Sequence, residues 1–314
     1  LIITFLGTSS GAPTTKRNVS AIALQFIQTG KWWLFDCGEA TQHQIMRSPL
    51  KVSHLEKIFI THLHGDHLYG LLGLLASRSL RGGAPDPVTL YGPPGIERYV
   101  EAVMSVSPVH LQYPFSIRVI EAGEIFADDE VTVICSPMKH RVPSFAYAVV
   151  EKERPGSFRA DLAKQAGIPP GPLYGALKRG ETVQLTDGTV IDGKQLVGPP
   201  QPGRKFVYSG DTVPCQAMVK LAEGADLLIH EATYADSDKW LAERSGHSTA
   251  RQAALIAREA GVKQLILTHF SPRYDREEEH LLDELLAEAQ REFPQTLLAA
   301  DFFRYELKRS REKG

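Results

Sequence analysis

The sequence has little cysteine: Cys37, Cys135 and Cys215 are the three in 314 residues, odd in number, far apart and without a Cys-x-x-Cys pair. Such a set builds neither a disulfide framework nor a cysteine-based zinc site. No apolar run approaches the roughly 20 residues that a membrane span requires. The chain opens with neither a basic segment nor a long apolar stretch, so the expected location is cytoplasmic, with no membrane partner. Neither sign of charge is in excess, since 35 Lys and Arg stand against 37 Asp and Glu for a net −2. This excludes a surface coated in positive charge and leaves open a local basic patch, which is all that nucleic-acid binding requires. With 43% hydrophobic residues the chain has ample material for a core, and its length suits one large α/β domain or two ordinary ones.

Ile2 to Gly7 reads as an opening strand, and Ala21 to Phe26 with Trp32 to Asp36 as a hairpin across Thr29-Gly30-Lys31. Lys57 to Thr61 is a short apolar strand that stops at a polar cluster, followed by helical spacing of apolar residues from Leu68 to Leu80. Val131 to Ile134, Lys205 to Tyr208, Leu227 to Ile229 and Gln264 to Leu267 are further buried strands. A helix is expected over Ser248 to Glu259, with Ser248 as its N-cap. The stretch after Arg273 is charged and helical to about Glu292, and Leu297 to Leu307 is β-like. Strands and helices mixed in this way predict an α/β or layered α/β/α domain. Between about 155 and 203 roughly a third of the residues are Gly or Pro, which breaks long regular elements. We read that segment as an arm inserted into a single domain spanning 1–314, the other reading being a linker without structure.

The chemistry is concentrated in Thr61-His62-Leu63-His64-Gly65-Asp66-His67. Three imidazoles and a carboxylate in six residues offer no packing benefit and repel one another when protonated. As ligands of zinc, manganese or iron they make sense, with Gly65 allowing the loop to fold tightly. His140, Asp211 and His269 each follow a predicted strand, and strand ends gathered on one sheet edge are where open α/β folds place their sites. Taken singly, His140 beside Lys139 and Arg141 is an ordinary surface residue and Asp211 a turn former. His43, His54, His110 and His280 have no comparable context and are read as structural or solvated.

His62-Leu63-His64-Gly65-Asp66-His67 resembles the His-x-His-x-Asp-His signature of the metallo-β-lactamase superfamily, which implies a four-layer αββα sandwich. The resemblance further implies two Zn²⁺ per subunit, or Mn²⁺ or another divalent metal. His62, His64 and His140 would hold one ion, Asp66, His67 and His269 the other, and Asp211 would bridge them. Phe5 to Thr14, Arg17-Asn18, Leu34 to Gln42, His230 to Tyr234 and Gly246 to Thr249 resemble motifs of the ribonuclease Z family, also called ribonuclease BN. Pro170 to Gly180 resembles the Gly/Pro-rich, protruding exosite arm of its short form. Ala40 departs from the pattern, standing where the family usually has Gly.

The activity implied is cleavage of precursor tRNA near its 3′ end, with 3′ exoribonuclease activity as a possible addition. The attack would be in line, by a hydroxide between two cations. Asp66 would accept its proton, and His247, oriented by Glu231, would face the scissile phosphate or the leaving oxygen. The plain reading of Gly246 to Thr249 as a helix start is compatible with that role. Lys178, Arg179 and Lys194 of the arm, with Arg204 and Lys205 beside it, would contact RNA phosphates, and a homodimer is implied in which one subunit's arm grips the tRNA cut by the other. Two other readings remain at this point. One is a small-molecule hydrolase of the same fold, such as a lactonase or cyclic-nucleotide phosphodiesterase; the other is a non-catalytic RNA-binding protein on that scaffold.

Overall fold

The computed structural model describes residues 1–80, 85–107, 109–275 and 281–309; His280 lies outside them. The chain divides into two compact units, one of Leu1–Ala127, Thr132–Val149 and Lys205–Gly314, the other of Asp128–Val131 and Val150–Arg204.

Sixteen strands are described: β1 Ile2–Gly7, β2 Ala21–Gln25, β3 Trp32–Phe35, β4 Leu55–Phe59, β5 Val88–Gly92, β6 Phe115–Val119, β7 Gly123–Ala127, β8 Val131–Met138, β9 Ser144–Glu151, β10 Thr182–Gln184, β11 Val190–Asp192, β12 Lys205–Tyr208, β13 Leu227–Glu231, β14 Leu265–Thr268, β15 Thr296–Leu298 and β16 Arg304–Glu306. One seven-stranded sheet has the order β16-β1-β2-β3-β4-β5-β6 and a second the order β15-β14-β13-β12-β9-β8-β7. The hairpin expected near the start is present, Ile22 opposite Phe35 and Leu24 opposite Trp33. The β-like closing stretch is two strands at the edges of different sheets.

Alternation along the strands sorts side chains between two layers of packing. Trp33, Phe35 and Phe59 of the first sheet meet Phe126, Tyr147 and Phe206 of the second, with ring centroids 5.4 to 5.9 Å apart. Their neighbours Leu34 and Ile58 face the other way, into a cluster with Leu71, Leu74, Leu75, Ile96 and Val100 from the helices Leu71–Leu80 and Ile96–Val106. On the far side of the second sheet, Val207, Leu228, Leu265 and Leu267 pack on Ala250, Ala253, Ala254 and Ala257 of the helix Ala250–Glu259 and on Leu285 and Ala289 of Leu281–Glu292. The layers are therefore helix, sheet, sheet, helix. Strands covered on both faces read as short continuous apolar runs, as in Phe206 to Tyr208 of β12, Leu227 to Ile229 of β13 and Leu265 to Leu267 of β14.

The helix Ala250–Glu259 is capped by Thr249 rather than Ser248. Thr249 and Gln252 form a reciprocal capping box, and the Ser248 hydroxyl donates to the Thr212 carbonyl instead. In the second unit, Ala163, Ile168, Leu177 and Leu196 make a small core backed by Phe158, Leu162 and Tyr174. Its regular elements are short, as the glycine and proline content requires: the helices Ala160–Gln165 and Leu173–Lys178 and the hairpin β10-β11.

Ala40 starts the helix Thr41–Met46 from a left-handed conformation, φ 59° and ψ 10°. A Cβ there costs about 1–2 kcal/mol, partly offset by the smaller chain entropy that alanine loses on folding. Ala40→Gly is expected to stabilise the protein by roughly 0.5–1 kcal/mol, read as a higher urea midpoint with an unchanged slope; a lower midpoint would show that this turn carries no strain.

Candidate functional site

β3 and β4 run parallel, as do β12, β13 and β14. Their C-terminal ends deliver Asp36, Thr61 with His62, Asp211, Glu231 and His269, and β8 delivers His140 just beyond Met138. Gly210, at φ 57° and with its Cα so close that a Cβ would lie 2.8 Å from that of Thr61, lets the chain turn directly into Asp211. His64 precedes the one-turn helix Gly65–Leu68, which carries Asp66 and His67.

The structure brings all seven expected ligand residues together. His62, His64, His140 and Asp211 each place a ligand atom within 4.8 Å of the others, and so do Asp66, His67 and His269. His62 Nε2 lies 3.0 Å and His140 Nε2 3.2 Å from His64 Nδ1. His67 Nε2 lies 3.1 Å from His269 Nε2. Asp211 stands between the groups, its carboxylate 3.5 Å from His62, 3.4 Å from His67 and 3.4 Å from His269. Asp66 reaches His269 at 3.4 Å and accepts the Gly11 N–H at 2.7 Å.

Four of the imidazoles are held from behind, through the ring nitrogen that faces away from the centre. His140 Nδ1 donates to the Gly246 carbonyl at 2.7 Å, His67 Nδ1 to Asp36 at 2.7 Å, and His62 and His269 meet the hydroxyls of Thr61 and Thr233 at 2.9 Å each. Such contacts select the tautomer and leave the inner nitrogen's lone pair free. Burial, with crowding by other imidazoles, pulls His62 well below its usual pKa, and burial lowers His64 and His140. These rings are therefore neutral, the form that ligates. Burial opposes ionisation of Asp211, but the imidazoles of His269, His67 and His62 outweigh it and keep the carboxyl well below its usual range. Burial likewise opposes a protonated His67, yet Asp211, Asp36 and Asp66 raise its pKa well above normal, which marks a position that attracts positive charge. Asp211 Oδ1 is buried without a hydrogen-bond partner among the described residues. An orphaned carboxylate oxygen among converging imidazole nitrogens fits a divalent cation, zinc-like in its nitrogen and oxygen donors.

Beside this cluster His247 Nδ1 lies 2.9 Å from Glu231 Oε1 and 3.8 Å from Asp211. Glu231 is buried and also accepts the Thr212 N–H and the Thr233 hydroxyl. Burial pulls the His247 pKa down, but the Glu231 carboxylate, helped by Asp211, pushes it up to about 9. Its Nε2 has no hydrogen-bond partner among the described residues.

Asp36 has no place in the sequence-derived set, although the rule that found Asp211 and His269 applies to it: it directly follows β3. Fully buried at φ 57°, it accepts from Thr61 N–H and hydroxyl at 2.8 and 3.0 Å, from His67, and from the Tyr208 hydroxyl at 2.8 Å. In the second unit Lys178, Arg179 and Lys194 are exposed, Arg179 being paired with Glu181 at 2.6 Å. Arg204 is not an open phosphate ligand, because it is buried against Glu151 at 2.6 Å. Lys205 spends its ammonium on the Glu223 carbonyl.

A family model described as a beta-lactamase superfamily domain matches residues 178–270, and one described as the anti-Pycsar protein Apyc1 matches residues 1–155. A curated ribonuclease Z from Brevibacillus brevis is 65% identical over 315 residues, spanning 100% of this chain and 99% of that one. The ribonuclease Z of Trichodesmium erythraeum is 55% identical over 310 residues, 99% and 96% of the two chains. Among solved structures, the short form of human tRNase Z aligns with 98% of this chain and 100% of its own at TM-score 0.69 and 31% identity.

Asp36→Asn puts an amide N–H₂ where only donors point. It is expected to cost about 2–4 kcal/mol of stability in urea unfolding. A loss below about 0.5 kcal/mol would remove Asp36 as the organiser of these loops.

Proposed function

The chain belongs to the ribonuclease Z family of the metallo-β-lactamase superfamily, and on that premise we infer that it is a metal-dependent endoribonuclease that cleaves precursor tRNA at its 3′ end. The observation that supports this most directly is the convergence of His62, His64, His67, His140, His269 and Asp66 around the orphaned Asp211 oxygen, with the His247–Glu231 pair alongside. Relatives over the whole length carry the ribonuclease Z name, so the small-molecule hydrolase is not favoured.

In this proposal His62, His64 and His140 would hold one divalent cation and Asp66, His67 and His269 a second, with Asp211 available to both. Two such ions, zinc being the first choice, would supply a hydroxide near neutral pH and neutralise charge on the phosphate oxygens. Asp66, fixed by the Gly11 N–H, accepts the proton of the attacking water. His247 donates from Nε2 toward the leaving 3′ oxygen, and Glu231 holds the ring through Nδ1 and keeps it protonated. The unit of residues 150–204, with Lys178, Arg179 and Lys194 on its surface, grips the body of the tRNA, in trans within a homodimer. Its acidic and basic residues nearly balance, so shape and backbone contacts carry more of that grip than charge does.

Mapping the ends formed from a precursor with a 3′ trailer tests the reading. Asp66→Ala is expected to lower the rate at least about 10³-fold, and a metal-loaded wild type that leaves the trailer intact would overturn it. The pH profile tests the His247 pair. His247 with Glu231 is protonated below about pH 9, so activity that needs the imidazolium falls above it; Glu231→Gln removes the group that raises the pKa, and the alkaline limb is expected to move to lower pH. An unmoved limb would take the acid role from His247. Replacing residues 155–203 with a short linker is expected to raise KM for precursor tRNA more than about tenfold while bis(p-nitrophenyl) phosphate is still hydrolysed; equal loss on both substrates would assign the segment to folding.

A further inference from the structure

Adjoining the imidazole cluster, within the same compact unit, is a cavity of about 320 Å³ lined by Arg141, Tyr234, Leu241, Arg244 and Ser245. It shares a wall with the site. Arg141 follows His140, and a Cβ on Gly246 would meet Arg141 Cγ and His140 Nδ1 at 3.1 Å each. The Tyr234 ring centroid lies 6.3 Å from that of His247. Arg141 and Arg244 are exposed, and among the described residues neither guanidinium forms an ion pair. This contrasts with Arg159, Arg179, Arg251 and Arg258, each of which is paired with a carboxylate. A third arginine, Arg273, is anchored by Asp238 at 2.9 Å and lies 5.8 Å over the Tyr234 ring. Trp240, 59% exposed, stands one turn before Arg244 on the helix Lys239–Ser245, on the same face.

An exposed arginine alone carries no message. Two guanidiniums without an ion pair among the described residues and a half-buried tyrosine beside the imidazole cluster, with an exposed tryptophan one turn away on the same helix, have the composition of a single-strand grip, in which cations hold phosphates and rings stack on bases. The cavity is at the small end of the 300–1,000 Å³ range of ligand pockets, which suits one nucleotide. We propose that this cavity is a nucleotide subsite: an unpaired nucleotide adjoining the scissile phosphate stacks on Tyr234, Arg141 and Arg244 hold its phosphate, and Trp240 offers a face to the next base. A paired nucleotide cannot present its ring in this way, so the subsite also favours a single-stranded junction over duplex RNA. The inference rests on the ribonuclease reading above.

The test compares Arg244→Ala, Arg244→Lys, Tyr234→Leu and Trp240→Ala with wild type on precursor tRNA and on bis(p-nitrophenyl) phosphate, over a salt series. For Arg244→Ala and Tyr234→Leu the ratio of kcat/KM for the precursor to that for the diester is expected to fall about tenfold, with a smaller fall for Trp240→Ala. Arg244→Ala is expected to flatten the slope of log(kcat/KM) against log salt by about 0.7, and Arg244→Lys to retain the slope. Arg118→Ala, an exposed cation on β6, serves as the control and changes neither substrate. Parallel losses on both substrates, or an unaltered salt slope in Arg244→Ala, would overturn the subsite. Failure of the wild type itself to cut the precursor would strike the ribonuclease reading instead.

Discussion

The buried Asp36 carboxylate is the interaction on which the site depends. It stands at the end of β3 and accepts hydrogen bonds from Thr61 at the end of β4, from His67 in the following turn and from Tyr208 of β12 in the other sheet. One anion thus ties the two sheets together at the edge where the ligand residues emerge. A carboxylate buried without those donors would cost several kcal/mol, so the donors and the acid require one another. The left-handed backbone at Asp36, and again at His269 with φ 62°, is tolerated because hydrogen bonds on every side over-determine the position.

The two sheets serve the chemistry by separating packing from ligation. Aromatic rings at alternate positions of β3 and β4 lock the sheets face to face, which leaves the strand ends for polar groups to gather. The polar groups that do gather there are satisfied from behind by threonine hydroxyls, a backbone carbonyl and Asp36. The fronts of His62, His67, His140 and His269 are thereby committed to the centre before anything binds. Preorganisation of this kind means that little ordering remains to be done when a cation or a phosphate arrives.

Local patterns were legible in the sequence and tertiary pairings were not. His62, His64, Asp66 and His67 announce themselves because they are dense in one loop. His140, Asp211 and His269 follow from the repeated placement of a ligand type beyond a strand, and the same regularity points to Asp36, read in sequence only as the end of a hairpin strand, which Tyr208 and His67 are seen to face. No spacing rule connects His140 to the Gly246 carbonyl, 106 residues away, or His269 to Thr233. The misplaced cap has a local cause: Ser248 and Thr249 are both good N-caps, and only the position of Gln252, three residues beyond Thr249, selects the second. β13 runs past the apolar stretch Leu227 to Ile229 through His230 and Glu231, because these pair with Leu267 and Thr268. Arg204 reads as an exposed cation in sequence, and its partner Glu151 is 53 residues distant.

Charge is distributed in a way that bears on how an RNA is held. Residues 155–203 carry Arg159, Lys164, Lys178, Arg179 and Lys194 against Asp161, Glu181, Asp187 and Asp192, an excess of one. Arg159 and Arg179 are each paired with the carboxylate two residues on. A segment so nearly balanced attracts a polyanion weakly at long range, since the field beyond about 10 Å is screened at ordinary salt. Its glycines and prolines instead allow main chain to approach a sugar-phosphate surface closely, which rewards fit over charge. Arg141 and Arg244, without an ion pair among the described residues, stand next to the imidazole cluster. Long-range attraction is therefore modest for the molecule as a whole, and Arg141 and Arg244 are among the cations that intramolecular pairing leaves available at short range.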